Sequence, residues 1–179
     1  VLNATAASVL AIEEGISLIY VKSALEKFSG ISRRMEFLGK LDQTVVIDDY
    51  GHHPTEIKNT ILTLRESFPE SEITMVFQPH RFTRTKDLYK EFVEVLKSVE
   101  RLILLEIYSA GEEAIDGISS TTLLESIKNT GFEDVFLAQS NAQADELIES
   151  IISKQKGVLL IQGAGNISEI SDKLSQKIK

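Results

Sequence analysis

From about Leu41 onward, short apolar runs alternate with longer amphipathic ones. Thr44-Val45-Val46-Ile47, Glu72 to Phe77, Leu102 to Ile107, Val135 to Leu137 and Val158 to Ile161 are too short for helices. They show little polar–apolar alternation, as strands covered on both faces do. Between them, Ile57, Ile61 and Leu64, then Leu88, Phe92, Val95, Leu96 and Val99, and finally Ile167, Ile170, Leu174 and Ile178 recur at helical spacing. Pro54 suits a first helical position, where its missing N–H costs nothing. Thr122 with Glu125, and Ser140 with Gln143, have capping-box spacing. Five or six strands with interleaved helices predict an α/β fold with a doubly wound, mostly parallel sheet, and a ligand edge at the strand carboxyl ends.

The first forty residues follow another grammar. Asn3 to Glu14 reads as an alanine-rich helix closed by Gly15, and Ser17 to Phe28 as a second helix stopped by Ser29-Gly30. Ser32 to Lys40 is strand-like. The chain opens on Val1-Leu2-Asn3 in mid-pattern without an initiator methionine, so a fragment is expected.

An apolar fraction of 42 % with 26 % charged residues can support a real core. The net charge of −8 argues against a nucleic-acid surface, because nothing offsets repulsion from phosphates. The absence of cysteine removes disulfides, thiol nucleophiles and thiolate metal sites. No apolar run approaches the ~18 residues of a membrane span, and no signal peptide is visible, so a cytoplasmic location is expected.

Chemistry concentrates just past two strand ends. Asp48-Asp49-Tyr50-Gly51-His52-His53-Pro54 follows the first strand, and Gln78-Pro79-His80-Arg81-Phe82-Thr83-Arg84 follows the second. Arg81 and Arg84, near the start of a helix, read as an anion clamp combining guanidinium forks with free helix N–H groups. The alternative is an exposed ion pair of Arg84 with Asp87. Adjacent Asp48 and Asp49 should point to opposite faces, one toward a ligand and one into the fold. One of His52 and His53 could instead cap the helix at Pro54. Asp48, Asp49, His52, His53 and His80 could together form an oxygen/nitrogen metal site, as in a metal-dependent phosphoesterase. Gly163-Ala164-Gly165-Asn166 lacks the third glycine of a dinucleotide fingerprint and reads as a tight turn of small residues. No P-loop and no Gly-x-Ser-x-Gly elbow occurs.

Four blocks taken together, Asp48 to Glu56, Phe77 to Thr85, Glu106 to Glu112 and Gln162 to Ile167, resemble the Mur ligase family in order and spacing. Within it they resemble the UDP-N-acetylmuramate–L-alanine ligases of peptidoglycan synthesis. The related murein tripeptide recycling ligases share the His-His-Pro-Thr block but are not expected to share Pro-His-Arg-Phe-Thr-Arg. The resemblance implies that residues 1–40 end a central ATP-binding domain and that 41–179 form a Rossmann-like C-terminal domain. It implies an ATP- and Mg2+-dependent ligase that couples L-alanine to UDP-N-acetylmuramate through an acyl phosphate. The fragment, without a P-loop, should then be inactive alone and hold no metal. By the same resemblance, Asn3, Arg34 and Asp49 would contact adenine, nucleotide and ribose. Tyr50, His52, Arg81 and Arg84 would surround L-alanine.

Overall fold

The computed structural model describes residues 2–152 and 156–178. Its contacts divide the chain into two units, 1–31 and 32–179. Val1 and Lys179, the outer ends of the two expected domains, lie outside the described residues. The first unit holds α1 (Leu2–Glu13) and α2 (Leu18–Lys27), as the alanine-rich and Gly-terminated patterns predict. Val21 is buried there, whereas Leu10, Leu18, Ile19 and Tyr20 are exposed.

In the second unit, β1 (Glu36–Leu41), β2 (Thr44–Asp49), β3 (Glu72–Phe77), β4 (Arg101–Leu105), β5 (Val135–Ala138) and β6 (Gly157–Gln162) form one sheet. Its order is β1-β2-β6-β3-β4-β5, parallel throughout except for β1, which runs antiparallel to β2. The expected domain boundary at 40/41 therefore falls inside an edge strand of this sheet. Antiparallel pairing across the Asp42-Gln43 turn ties β1 to β2, and the contacts part instead at 31/32.

The helices are α3 (Pro54–Ser67), α4 (Phe82–Asp87), α5 (Tyr89–Leu96), α6 (Ser120–Lys128), α7 (Asn141–Ile152) and α8 (Ser168–Ile178). Successive strand residues point to opposite faces, so each strand feeds two cores. On one face Val45, Ile47, Met75, Phe77, Leu102, Leu104, Val158 and Leu160 meet apolar residues of α3, α5 and α6. On the other, Val46, Val76, Ile103, Leu159 and Ile161 meet α7 and α8. This two-sided burial explains why the strands show no polar alternation.

Three local expectations change. The apolar stripe from Leu88 to Val99 begins on a break, because Leu88 leaves helical geometry (φ −113°, ψ 25°) and separates α4 from α5. The α6 cap is Ser119 with Thr122, not Thr122 with Glu125. Buried Ser120 donates to the Leu105 carbonyl at 2.7 Å, which anchors the helix start three residues earlier than the spacing predicts. At α7, Ser140 accepts from the Gln143 N–H as expected, but the Gln143 side chain accepts from the Gln139 N–H rather than completing the box.

The last strand is the key to the site. β6 inserts between β2 and β3, and the chain leaves β2 and β3 for the α3/α5 face but leaves β6 for the α8 face. Loops that part in opposite directions open a crevice at the carboxyl ends of β2, β6 and β3.

Candidate functional site at the strand ends

The crevice floor is a polar lattice between strand ends. Gln162, fully buried at the end of β6, donates from Nε2 to Asp49 Oδ1 (2.7 Å) and Thr60 Oγ1 (3.1 Å). Asp49 Oδ1 also accepts from the Gly51 N–H (2.9 Å) and the Thr60 hydroxyl (3.3 Å), while Oδ2 accepts from the Met35 N–H (3.0 Å). Gln78, at the end of β3, donates to Asn166 Oδ1 (2.8 Å) and accepts from the Ile167 N–H (3.0 Å), which locks the β6–α8 turn. That turn must be tight: a Cβ on Gly165 would collide with Gln78 Oε1 and sit 2.7 Å from Tyr108 Cγ. The glycines thus serve close packing, as a small-residue turn predicts.

Both acids of the Asp48-Asp49 pair are buried. Asp48 is held by Arg33. Its Nε lies 3.3 Å from Asp48 Oδ2, and its Nη2 donates to the Gly163 carbonyl at 2.6 Å. Burial pushes the Asp48 carboxyl above its ordinary range, and the Arg33 cation pulls back against it. Arg33 is therefore consumed within the fold. Its neighbour Arg34 is exposed, with its guanidinium 5.5 Å from the Tyr50 ring centre. Both guanidinium groups lie over that ring, Arg33 at 5.2 Å, but the Asp48 and Gly163 bonds of Arg33 distinguish two arginines the sequence leaves interchangeable.

Above the lattice, four rings from three loops form a continuous row. Tyr50 and His52 lie 5.5 Å apart between ring centres, His52 and His80 5.7 Å, and His80 and Tyr108 5.4 Å. The last pair is held by reciprocal backbone contacts: the Arg81 N–H donates to the Tyr108 carbonyl and the Tyr108 N–H to the Pro79 carbonyl. Arg84 Nη1 donates to the His80 carbonyl (3.0 Å) and approaches His80 Nδ1 (3.3 Å), rather than pairing with Asp87. Burial, then the nearby Arg84 charge, hold the His80 imidazole below its usual pKa.

Arg81 is half exposed and adopts φ 76°, a strained backbone for a non-glycine residue. Both its backbone groups are bonded, the N–H to Tyr108 and the carbonyl to Thr85, which holds it there. The helix N–H groups expected to be free for an anion are not all free. Glu112 accepts from the Thr83 N–H (3.0 Å) and hydroxyl (2.7 Å) and lies 3.5 Å from Arg81 Nη1. These Thr83 bonds, backbone first, hold the Glu112 carboxyl below its ordinary range. The Thr83 N–H is thus not available to an anion.

His53 proves to be the helix cap: its Nδ1 accepts from the Thr55 N–H (3.2 Å). Glu56 closes the box by accepting from the His52 (2.9 Å) and His53 (3.1 Å) N–H groups. Burial opposes ionisation of Glu56, but these two N–H groups outweigh it and its pKa falls below the usual value. The five residues of the phosphoesterase reading are therefore dispersed, with Asp48 and Asp49 in the floor and His53 in a cap. Among the described residues no group of three or more His, Asp or Glu side chains converges on a cation position. Asn3 lies on α1 in the first unit.

Glu112, Tyr108, Gln78 and Gln162 carry no assigned role in the sequence reading, and His80 only a metal role. For the glutamines a signal existed: each is a lone polar residue closing an apolar strand.

A mostly parallel α/β sheet with rings and guanidinium groups past its switch point is the arrangement in which folds of this class place their ligand sites. The glutamate ligase domain of Mur ligases matches residues 33–165, so the chain belongs to the Mur ligase family. Among solved structures, UDP-N-acetylmuramate–alanine ligase from Thermotoga maritima is 29 % identical over 98 % of this chain and 36 % of its own, with a TM-score of 0.75. A MurF from Acinetobacter baumannii (21 %, TM-score 0.71, 97 % of this chain and 37 % of its own) has the same fold. So does a murein peptide ligase from Psychrobacter arcticus 273-4 (22 %, TM-score 0.67, 98 % and 36 %). The chain spans little more than a third of the length of each. No helix among the described residues is long and apolar enough to cross a membrane.

Proposed function

We propose that this chain is the C-terminal part of a cytoplasmic ligase that joins L-alanine to UDP-N-acetylmuramate, its third domain carrying the incoming amino acid. One observation carries the reading: His52 from one crossover and Arg84 and Arg81 from another stand around His80, past the ends of β2 and β3. The similarity to the Thermotoga maritima alanine ligase supports the choice of L-alanine.

In this reading Arg84 and Arg81 hold the amino acid's carboxylate. Arg84 uses one nitrogen on His80, and Arg81 meets Glu112 through one, so each fork keeps donors to offer. Tyr50 and His52 flank the α-carbon, and orientation alone can supply several kcal/mol of a bimolecular barrier, on the order of 7–11 at best. Asn3, Arg34 and Asp49 are assigned to the nucleotide. Exposed Arg34 suits that role directly, whereas buried Asp49 would reach a ribose hydroxyl through Oδ2, where the Met35 N–H already donates. ATP with Mg2+ supplies the phosphoryl group that activates the muramyl carboxylate, in parts of the enzyme outside this chain, which also bind UDP-N-acetylmuramate. The fragment alone is expected to be inactive.

The test is L-alanine kinetics of the full-length ligase and its Arg84→Ala variant. Loss of a charge-assisted bond worth ~1.5–3 kcal/mol predicts a KM for L-alanine raised about 10- to 100-fold, with little change in the KM for ATP. An unchanged KM for L-alanine would reject the clamp.

A further inference from the structure

Two strained backbones face each other across neighbouring loops. Arg81, in the loop after β3, has φ 76°, and Ala110, in the loop after β4, has φ 51°. Neither is glycine, so each conformation persists only where its surroundings fix it. Ala110 and Gly111 (φ 85°) are the two central residues of a tight turn closed by the Glu112 N–H on the Ser109 carbonyl at 3.0 Å. Positive φ at both centres is the mirror-image turn, which ordinarily selects glycine or asparagine.

What the turn delivers is the Glu112 carboxylate. Tyr108, four residues earlier, is already joined to the β3–α4 loop by two backbone bonds, accepting from the Arg81 N–H and donating to the Pro79 carbonyl. Glu112 adds a third attachment. Its Oε2 accepts from the Thr83 N–H (3.0 Å), and its Oε1 accepts from the Thr83 hydroxyl (2.7 Å) and lies 3.5 Å from Arg81 Nη1. Both oxygens are used as acceptors, which a carboxylate can supply and an amide cannot. Thr83 is thus the anchor and Arg81 the group that is oriented. Arg81 and Arg84 line one open cleft together with Thr83, Asp87 and Leu88.

We propose that Glu112 is a positioning residue: carried on the strained turn and anchored on Thr83, it fixes where the Arg81 guanidinium points in the amino-acid clamp. This rests on the ligase reading above, in which Arg81 holds the amino acid's carboxylate. Charge alone would act in the opposite sense, because an anion beside Arg81 competes with an incoming carboxylate. That competition is weak, since the Arg81 side chain is half exposed and such pairs are worth little. Orientation is therefore the larger effect, and removing it should weaken binding.

The test is a mutant cycle in the full-length ligase, with Glu112→Gln, Arg81→Ala and the double variant, L-alanine being varied. Loss of an orienting hydrogen bond should raise the KM for L-alanine about 2- to 12-fold in Glu112→Gln. The kcat and the KM for ATP should stay near the parent values, which also certifies folding. In the Arg81→Ala background the same substitution should add nothing, because the group it acts through is gone. Thr83→Val keeps the Glu112 charge but removes its hydroxyl anchor, and should raise the KM for L-alanine in the same direction. An unchanged or lower KM in Glu112→Gln would overturn the proposal, a lower one by showing that Glu112 competes with the ligand. So would an equal rise with and without Arg81, which would leave the clamp standing and remove only the positioning. If Arg81→Ala itself left the KM for L-alanine unchanged, the clamp would fall and the positioning with it.

Discussion

Arg33 offers the sharpest test of how the site floor is held. In Arg33→Met the aliphatic stem remains but the cation beside Asp48 is lost. The Asp48 side chain is 3 % exposed and that of Arg33 20 %, so the pair is screened little by solvent. Besides Arg33, the Ser171 hydroxyl favours the charged Asp48 carboxylate, by less than the Arg33 charge does. Breaking such a pair from one side costs ~3–5 kcal/mol, and the partial exposure of Arg33 places this case near 3 kcal/mol at pH 7. The sign of the pH dependence follows from Asp48's raised native pKa. Stability linked to a raised carboxyl is complete below its unfolded value of 3.8 and is lost as pH rises through the native value. Removing Arg33 raises the native value further, so the penalty should grow from about pH 4 to pH 7. Urea unfolding of the 179-residue chain and its variant, followed by circular dichroism at both pH values, measures this. Asp48→Asn in the variant background should recover most of the pH-7 loss, leaving the ~1 kcal/mol of the lost Gly163 bond. A loss equal at both pH values would refute the reasoning.

Two further outcomes follow from the site's geometry. In a proton NMR titration His80 should have a midpoint below its ordinary 6.5, and Arg84→Gln should raise it. A depressed native pKa contributes stability that is present above 6.5 and fades as pH falls through the native value, and a midpoint at or above 6.5 would contradict the placement of Arg84 beside a part-buried His80. Gly165→Ala should displace Tyr108 and cost ~1–3 kcal/mol by overpacking, visible as shifted His80 resonances and a lower urea midpoint. Unshifted resonances would show that the turn has slack.

Periodicity made the sheet legible because β2, β3, β4 and β6 are short, apolar and almost wholly buried, and α3, α5 and α8 carry apolar stripes. β1 was less legible: its burial alternates irregularly, its register slips between Phe37 and Gly39, and it was assigned to the preceding domain. The caps failed where a tertiary bond won, as Ser120 on the Leu105 carbonyl shows. At the site, residue types and positions past strand ends pointed to His52, Arg81 and Arg84. Pairing did not show in the sequence. That Asp49 is satisfied inward, that Arg33 rather than Arg34 is consumed by Asp48, and that Glu112 takes the Thr83 N–H all depend on contacts spanning from 14 to more than 100 residues.

The central claim, a crevice that grips L-alanine for coupling to an activated muramyl carboxylate, is tested most directly by phosphate release from the full-length enzyme. UDP-N-acetylmuramate and ATP are supplied with L-alanine, D-glutamate or the murein tripeptide as the third substrate. The account predicts turnover with L-alanine, lost in the Arg81→Ala, Arg84→Ala double variant. Idleness with L-alanine, together with turnover of the tripeptide, would contradict it.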